Sequence, residues 1–253
     1  MSNHVRIFLS AVLFACLLIQ VSFACSPIPA GVTTTDNGFE SGNLTGFKCS
    51  GNCPVVTTSP VKTGQYAGNF VLTRDMATNY RTEVILGSAG EFQFGKEYLI
   101  ELDYRYEDWV SDSDGEIAPF QIHATPGSWD AVCQLGSAVS SAPFLMVSSN
   151  DEVRFVTYGG VVMWRAPIQK NQWLKIRVHF KMSSGSDGLV EAWKDGVFIG
   201  KVTGRNSPAT DKCGNPMLPP YFKMGVYKWN WKTLTTQSTR RQVIIDNLKV
   251  VEP

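Results

Sequence analysis

Residues 173–182 read Trp173-Leu174-Lys175-Ile176-Arg177-Val178-His179-Phe180-Lys181-Met182. Leu174, Ile176, Val178, Phe180 and Met182 fall on one side, and Lys175, Arg177, His179 and Lys181 on the other. Successive side chains of a strand point to opposite faces, so period two marks a strand with one face buried. Leu99 to Tyr106 repeats the pattern: Ile100, Leu102, Tyr104 and Tyr106 oppose Glu101, Asp103 and Arg105. Glu191 to Lys201 predicts a hairpin turning at Asp195-Gly196, since Asp-Gly accepts the positive φ angles of a tight hairpin turn. Phe144 to Tyr158 predicts a second hairpin, turning at Ser149-Asn150-Asp151.

No segment carries a sustained apolar stripe at helical spacing. Many short strands divided by Gly and Pro clusters predict an all-β chain: a single β-jelly-roll sandwich of two antiparallel sheets with a concave substrate groove. No Pro/Ser-rich linker or internal repeat divides it, so residues 25–253 are expected to form one domain.

Residues 1–24 have the layout of a signal peptide. His4 and Arg6 precede an apolar run from Ile7 to Val21, and the small residues Ser22 and Ala24 suit cleavage before Cys25. The run is too short for a membrane span, and none follows. The expectation is a secreted monomer that uses no membrane and no organic cofactor. Lys and Arg total 23 against 22 Asp and Glu, a formal charge of +1, which argues against capture of nucleic acid by net charge.

Cys16 leaves with the leader, and an exported chain keeps its remaining cysteines in an oxidising compartment. Cys49, Cys53, Cys133 and Cys213 permit three pairings. The expected one is Cys49–Cys53, closing a small loop, with Cys133–Cys213 tying two long loops; Cys25 is left over. Asn43-Leu44-Thr45 is an N-glycosylation acceptor in a eukaryotic source.

Three strand segments put unusual polar residues on the face that should not be core. Gln121 and His123 oppose Phe120 and Ile122. Arg81 and Glu83 share a face. Tyr221, Lys223, Gly225 and Tyr227 oppose Phe222, Met224 and Val226, with Gly225 read as space for a ligand to approach the backbone. Side by side, these strands would gather cations, an amide, an imidazole and phenols. That set suits β-elimination beside a carboxylate. Donors grip the uronate carboxylate so that the C5 proton becomes acidic, a base removes it, and an acid protonates the departing O4. Tyrosine can do both, because a cation such as Lys223 or Arg81 stabilises its phenolate.

Gln121-Ile122-His123 resembles the QIH motif of jelly-roll alginate lyases, and Tyr221-Phe222-Lys223-Met224-Gly225-Val226-Tyr227 resembles their YFKxGxY motif. Arg81-Thr82-Glu83-Val84 is a looser match to RSEL. The wider pattern runs from Ser59–Gly64 through Ile117–Gly127 to Gly225–Trp231. It is similar to the glucuronan lyases (polysaccharide lyase family 20) and the heparin-lyase-like proteins, over most of the chain. The resemblance implies Tyr227 as catalytic acid, His123 as base or neutraliser, and Gln121 and Arg81 gripping the carboxylate. It implies substrate contacts from Lys223, Glu83, Tyr221 and Trp229, and an anionic uronic-acid polymer as partner. Arg81-Thr82-Glu83-Val84-Ile85 departs from RSELRE, and Lys228-Trp229 stands where Asn-Gln is usual. These departures point to glucuronan rather than alginate.

Asn37–Leu44 and Ile245–Leu248 resemble the paired terminal strands of carbohydrate-active sandwiches, which often hold calcium. Glu40 and Asp246 are the candidate ligands for a structural Ca2+, with Asp36 a third; the competing reading makes them turn residues capped by their own side chains. Asp112–Glu116 reads as a surface loop beside the groove, and His179 as part of a solvated sheet face. Two rival functions remain. A glycoside hydrolase would need paired carboxylates, for which Glu101, Asp103 and Glu107 are available. A non-catalytic carbohydrate-binding module would use Trp129, Trp229 and Trp231, of which the last two suit core or groove equally.

Overall fold

The structure is a computed structural model describing residues 32–75, 80–86, 92–234 and 236–252. The leader 1–24, Cys25 and the side chain of Asp36 lie outside the described residues.

Strand β11 (Leu174–Lys181) buries Leu174, Ile176, Val178 and Phe180 and turns Lys175, Arg177, His179 and Lys181 outward. It pairs antiparallel with β6 (Glu97–Tyr106), whose Ile100, Leu102, Tyr104 and Tyr106 are fully buried. The outward row is laced by opposite charges: Arg177 Nε donates to Glu101 at 2.7 Å, and His179 lies 3.1 Å from Glu191 and 3.0 Å from Glu97. Asp103 departs from the alternation. It faces outward yet is almost fully buried, accepting from Asn247 Nδ2 at 2.8 Å. The predicted hairpin is β12 (Leu189–Lys194) and β13 (Val197–Thr203), with Asp195 and Gly196 both at positive φ. The other is β8 (Phe144–Ser149) and β9 (Glu152–Thr157), turning through Asn150 and Asp151, again both at positive φ.

The strands form two antiparallel sheets. One runs β13-β12-β11-β6-β15-β4-β3, with β1 (Val32–Asn37) also pairing β15 (Arg240–Glu252); β4 spans Ala67–Thr73 and β3 Val55–Thr57. The other runs β10-β9-β8-β7-β14-β5-β2, with β10 at Val161–Pro167, β7 at Glu116–Thr125, β14 at Leu218–Tyr227, β5 at Arg81–Leu86 and β2 at Phe47–Gly51. Phenylalanines 70, 120, 144, 155, 180 and 222 fill the space between them. This is the expected jelly-roll sandwich. Each fully buried ring contributes roughly 1.5–3 kcal/mol through removal of its apolar surface from water.

Both disulfides form as expected, Cys49–Cys53 and Cys133–Cys213. Asn43 is exposed, and its Oδ1 accepts from the Thr45 N–H at 2.8 Å.

Candidate active site

The central strands of the second sheet carry the site. In β14, Phe222, Met224 and Val226 enter the core, which sends Tyr221, Lys223 and Tyr227 to the outer face. Register then fixes their neighbours: Tyr221 opposite His123, Lys223 opposite Gln121, and Tyr227 opposite Arg81. The alternation read from three separate segments converges on one patch. A cleft of about 430 Å3 lies over it, lined by Arg81, Gln121, His123, Tyr221, Lys223 and Tyr227, with Ser50, Trp129 and the stretch Gln134–Gly136 among its walls.

Glu83 does not line this cleft. It is 1 % exposed, as buried as Gln121 and Lys223 at 1 % and 2 %, but unlike them it contributes nothing to the cleft lining, which departs from its expected role as a substrate contact. Its carboxylate instead gathers the groups above. Gln121 Nε2 donates to Oε1 at 2.7 Å, Lys223 Nζ donates to Oε2 at 3.1 Å, and Arg81 Nη1 stands 3.6 Å from Oε2. A buried carboxylate is tolerable only because cations and donors surround it. Two cations against one carboxylate leave the floor net positive. Gln121 Oε1 and Arg81 Nε remain buried without a partner in the described structure, and unspent polar atoms under a cleft are what a polar ligand would satisfy.

Burial and the Lys223 charge hold His123 down at about 4, with Arg81 adding to the effect and Glu83 opposing it. The imidazole is therefore neutral at ordinary pH. Burial pushes the Tyr221 phenol up to about 12, helped by Glu83 and opposed by Arg81. Burial likewise lowers the Lys223 amine, against the pull of Glu83. The Arg81 guanidinium carbon lies 3.9 Å from the centre of the Tyr227 ring, a close cation–π contact.

Gly225 has a different purpose from the one expected. Its φ is +128°, and a Cβ would meet the Thr82 carbonyl oxygen at 2.2 Å and the Phe70 ring at 2.7 Å. The glycine serves the close packing of β14 on β5 and the core, and not ligand access.

Trp229 sits half-buried at the edge of Tyr227, ring centres 6.0 Å apart, and packs on Gly115 outside the lining of the cleft. Trp231 is core. Asp112–Glu116 is not a solvated loop either. Asp112 and Glu116 are buried with Lys228 and Arg241: Lys228 Nζ donates to Glu116 Oε2 at 2.6 Å, and Arg241 Nε lies 3.3 Å from the same oxygen. Glu101 lies on the outer face of the opposite sheet, salt-bridged to Lys175 and Arg177, and Glu107 is bound to Arg105. Neither they nor Asp103 line the cleft, and no carboxylate does among the described residues.

The sequence offers Trp129 only as a sugar contact of the rival binding module and gives no sign of its neighbours Gln134–Gly136. They come from an irregular segment, where no periodicity reports direction. The available signal was an isolated Trp between Gly127 and Cys133 in a segment bounded by a disulfide cysteine.

At the terminal strands, Asp246 Oδ2 accepts from the Lys62 and Thr63 N–H groups at 2.8 and 3.2 Å, and Glu40 Oε2 from the Gln65 N–H at 2.9 Å. Burial raises the Asp246 carboxyl, and the Glu40 charge adds to the rise. Two like charges thus face one turn, a donor set that suits a hard cation, although among the described residues no three His, Cys, Asp or Glu side chains group as a metal site.

Comparison with solved structures returns the same architecture. The chain is similar to the endo-β-1,4-glucuronan lyase of the fungus Trichoderma reesei at 20% identity and a TM-score of 0.67, covering 88% of this chain and 96% of that one. It is similar to the marine PL7 alginate lyase AlyA1 of Zobellia galactanivorans at 14% identity and a TM-score of 0.56, covering 87% and 100%. Comparison with curated protein sequences gives no match. The sequence profile of the polysaccharide lyase family matches residues 33–249, nearly the whole sandwich and every residue of the cleft floor, and the chain belongs to that family.

Proposed function

We propose that this lyase cleaves a (1,4)-linked glucuronate polymer by syn β-elimination. The observation carrying this reading is the composition of the cleft: two cations, two amides, a neutral imidazole and two phenols, with no carboxylate among the described lining residues. A glycosidase needs two carboxylates flanking the bond. Elimination needs instead a grip on the uronate carboxylate and one proton shuttle.

Arg81, Gln121 and Lys223 hold the carboxylate, and the net positive floor stabilises the charge that develops at C5. His123, neutral because it is buried beside Lys223, contributes a hydrogen bond rather than a charge. In a glucuronate unit the C5 hydrogen and O4 lie on the same side of the ring, so one group reaches both. Tyr227 takes the proton from C5 and delivers one to O4 as the C4–O4 bond breaks. Tyr221, firmly protonated, donates a hydrogen bond to the substrate. The choice of glucuronan rests on the departure from the alginate pattern at Arg81–Ile85, and the fold likeness to a glucuronan lyase agrees with it. Export by the leader 1–24 and action as a secreted monomer belong to the same proposal, supported by two disulfides.

Incubation with glucuronan, alginate, heparin and a neutral glucan tests it. Ultraviolet absorbance of unsaturated uronate ends is expected on glucuronan first. New reducing ends without absorbance would make the protein a hydrolase, and binding without chain shortening would make it a lectin.

Glu40 and Asp246 are proposed to hold a structural Ca2+ with backbone carbonyls, pinning the terminal strands. A ligand bound only by the native state stabilises it, so chelation is expected to lower the melting temperature and added calcium to restore it. Identical melting in chelator would leave the two carboxylates as turn caps.

A further inference from the structure

Among the described residues only two large aromatic side chains are counted as exposed, Phe198 on β13 and Trp129. Trp129 is 56 % exposed and lines the cleft. A single exposed indole is ordinary on a protein surface, but this one lines the cleft on a backbone fixed from several sides. The Cys133–Cys213 disulfide ties its segment to the 211–217 loop. The Asp211 carboxylate accepts the Ser128 N–H at 2.9 Å, and Gln134 Nε2 donates to the Trp129 carbonyl at 3.0 Å. Gly127 is packed so tightly on the same loop that a Cβ would meet the Pro216 carbonyl at 2.4 Å. The mount is rigid while the ring face is free.

The orientation is equally specific. The Trp129 plane lies 27° from that of His123, with centroids 6.5 Å apart, and His123 lies 28° from Tyr221 at 5.0 Å. Three near-parallel rings thus stand in a row, and Trp129 ends that row within the lining of the same cleft as Gln121 and Lys223.

We propose that Trp129 is a stacking platform for the sugar unit next to the reacting one, and that it selects rings whose substituents are all equatorial. A gluco-configured pyranose offers only axial C–H bonds on each face, an apolar surface that an indole can cover. A manno ring carries an axial O2 on one face and can stack only through the other, while a gulo ring has axial oxygens on both faces, so fewer of their faces suit the indole. The platform would therefore contribute preference for glucuronan over alginate. This rests on the lyase reading above, and it deepens that reading by naming what sets the sugar configuration.

The test uses the full chain with Trp129→Ala and Trp129→Phe, assayed for unsaturated ends and, in a Tyr227→Phe background, for binding of glucuronan and cello-oligosaccharides by calorimetry. Trp129→Ala is expected to raise KM and Kd on gluco-configured chains about tenfold, the scale of one sugar face left uncovered, with kcat within about twofold. Trp129→Phe should recover much of the loss, and the penalty should be smaller on mannuronan and guluronan. The ring is exposed, so melting is expected to be unchanged. Unsaturated ends with KM and Kd untouched by Trp129→Ala would overturn the platform and leave the lyase standing. Binding that depends on Trp129 without any unsaturated product would uphold the platform and remove the lyase reading. Absence of both would remove both.

Discussion

Tyr227→Phe is expected to eliminate measurable formation of unsaturated ends while the protein still folds and still binds polymer. The substitution keeps the ring under the Arg81 guanidinium at 3.9 Å and against the edge of Trp229, so packing survives. It deletes only the oxygen proposed to move the proton. Loss of general acid–base catalysis typically costs ~10²–10⁴-fold, and here one oxygen serves as both base and acid, so the upper end applies. Tyr221→Phe is the control. Tyr221 is held protonated, its phenol pushed up to about 12 by burial, and its loss should weaken binding more than turnover. Near-normal product from Tyr227→Phe would reassign the proton to another cleft residue, with His123 first in line.

Lys228→Met is expected to be the most destabilising single change outside the core. Lys228 is 0 % exposed and sits among Asp112, Asp114 and Glu116 at 3.5, 3.4 and 2.6 Å, with Arg241 a second cation in the cluster. Removing one partner of a buried ion pair typically costs ~3–5 kcal/mol, because it strands the opposite charge. A lower melting temperature, by on the order of 10 °C, is the expected readout. The pH dependence has a defined sign. Burial raises the Glu116 carboxyl, while Arg241 and Lys228 pull it down; without Lys228 it rises further. A carboxyl raised on folding stabilises when protonated and loses that contribution as pH climbs, so the deficit should shrink on acidification. Glu116→Gln added to Lys228→Met should return part of the loss, which a double-mutant cycle measures. Unchanged melting in Lys228→Met would mean that the cluster is not an interdependent unit.

The cluster also accounts for a departure seen in the sequence. Lys228 stands where a related motif has a neutral residue, and the local string around it gives no reason. The reason is the carboxylates of Asp112, Asp114 and Glu116, distant in the chain and brought to Lys228 only when the strands pair. Lys228 thus follows Tyr227, the proposed proton shuttle, in sequence while its own side chain is taken up by the buried cluster.

The sequence by itself determined what depends on near neighbours. Period-two alternation in Leu174–Lys181 and Glu97–Tyr106 depends on the pleat alone, so the faces were legible. Asp195-Gly196 needed positive φ at both positions, a local property. The shared outward face of Tyr221, Lys223 and Tyr227 followed from the core demand of Phe222, Met224 and Val226. What only the tertiary structure decided depends on cross-strand partners and loop paths. Glu83 alternates outward with Arg81 yet is buried, because Gln121 and Lys223 from the next strands close over it. Gly225 looks like an opening and is a packing requirement, since the Thr82 carbonyl and Phe70 occupy the space a side chain would need. Trp129 lies in an irregular segment, where backbone direction is set by the Cys133–Cys213 bond and Asp211 rather than by any repeat. Alternation fixes which side of a strand a residue faces; whether that side is water, a cleft or a buried charge cluster is fixed by the strand beside it.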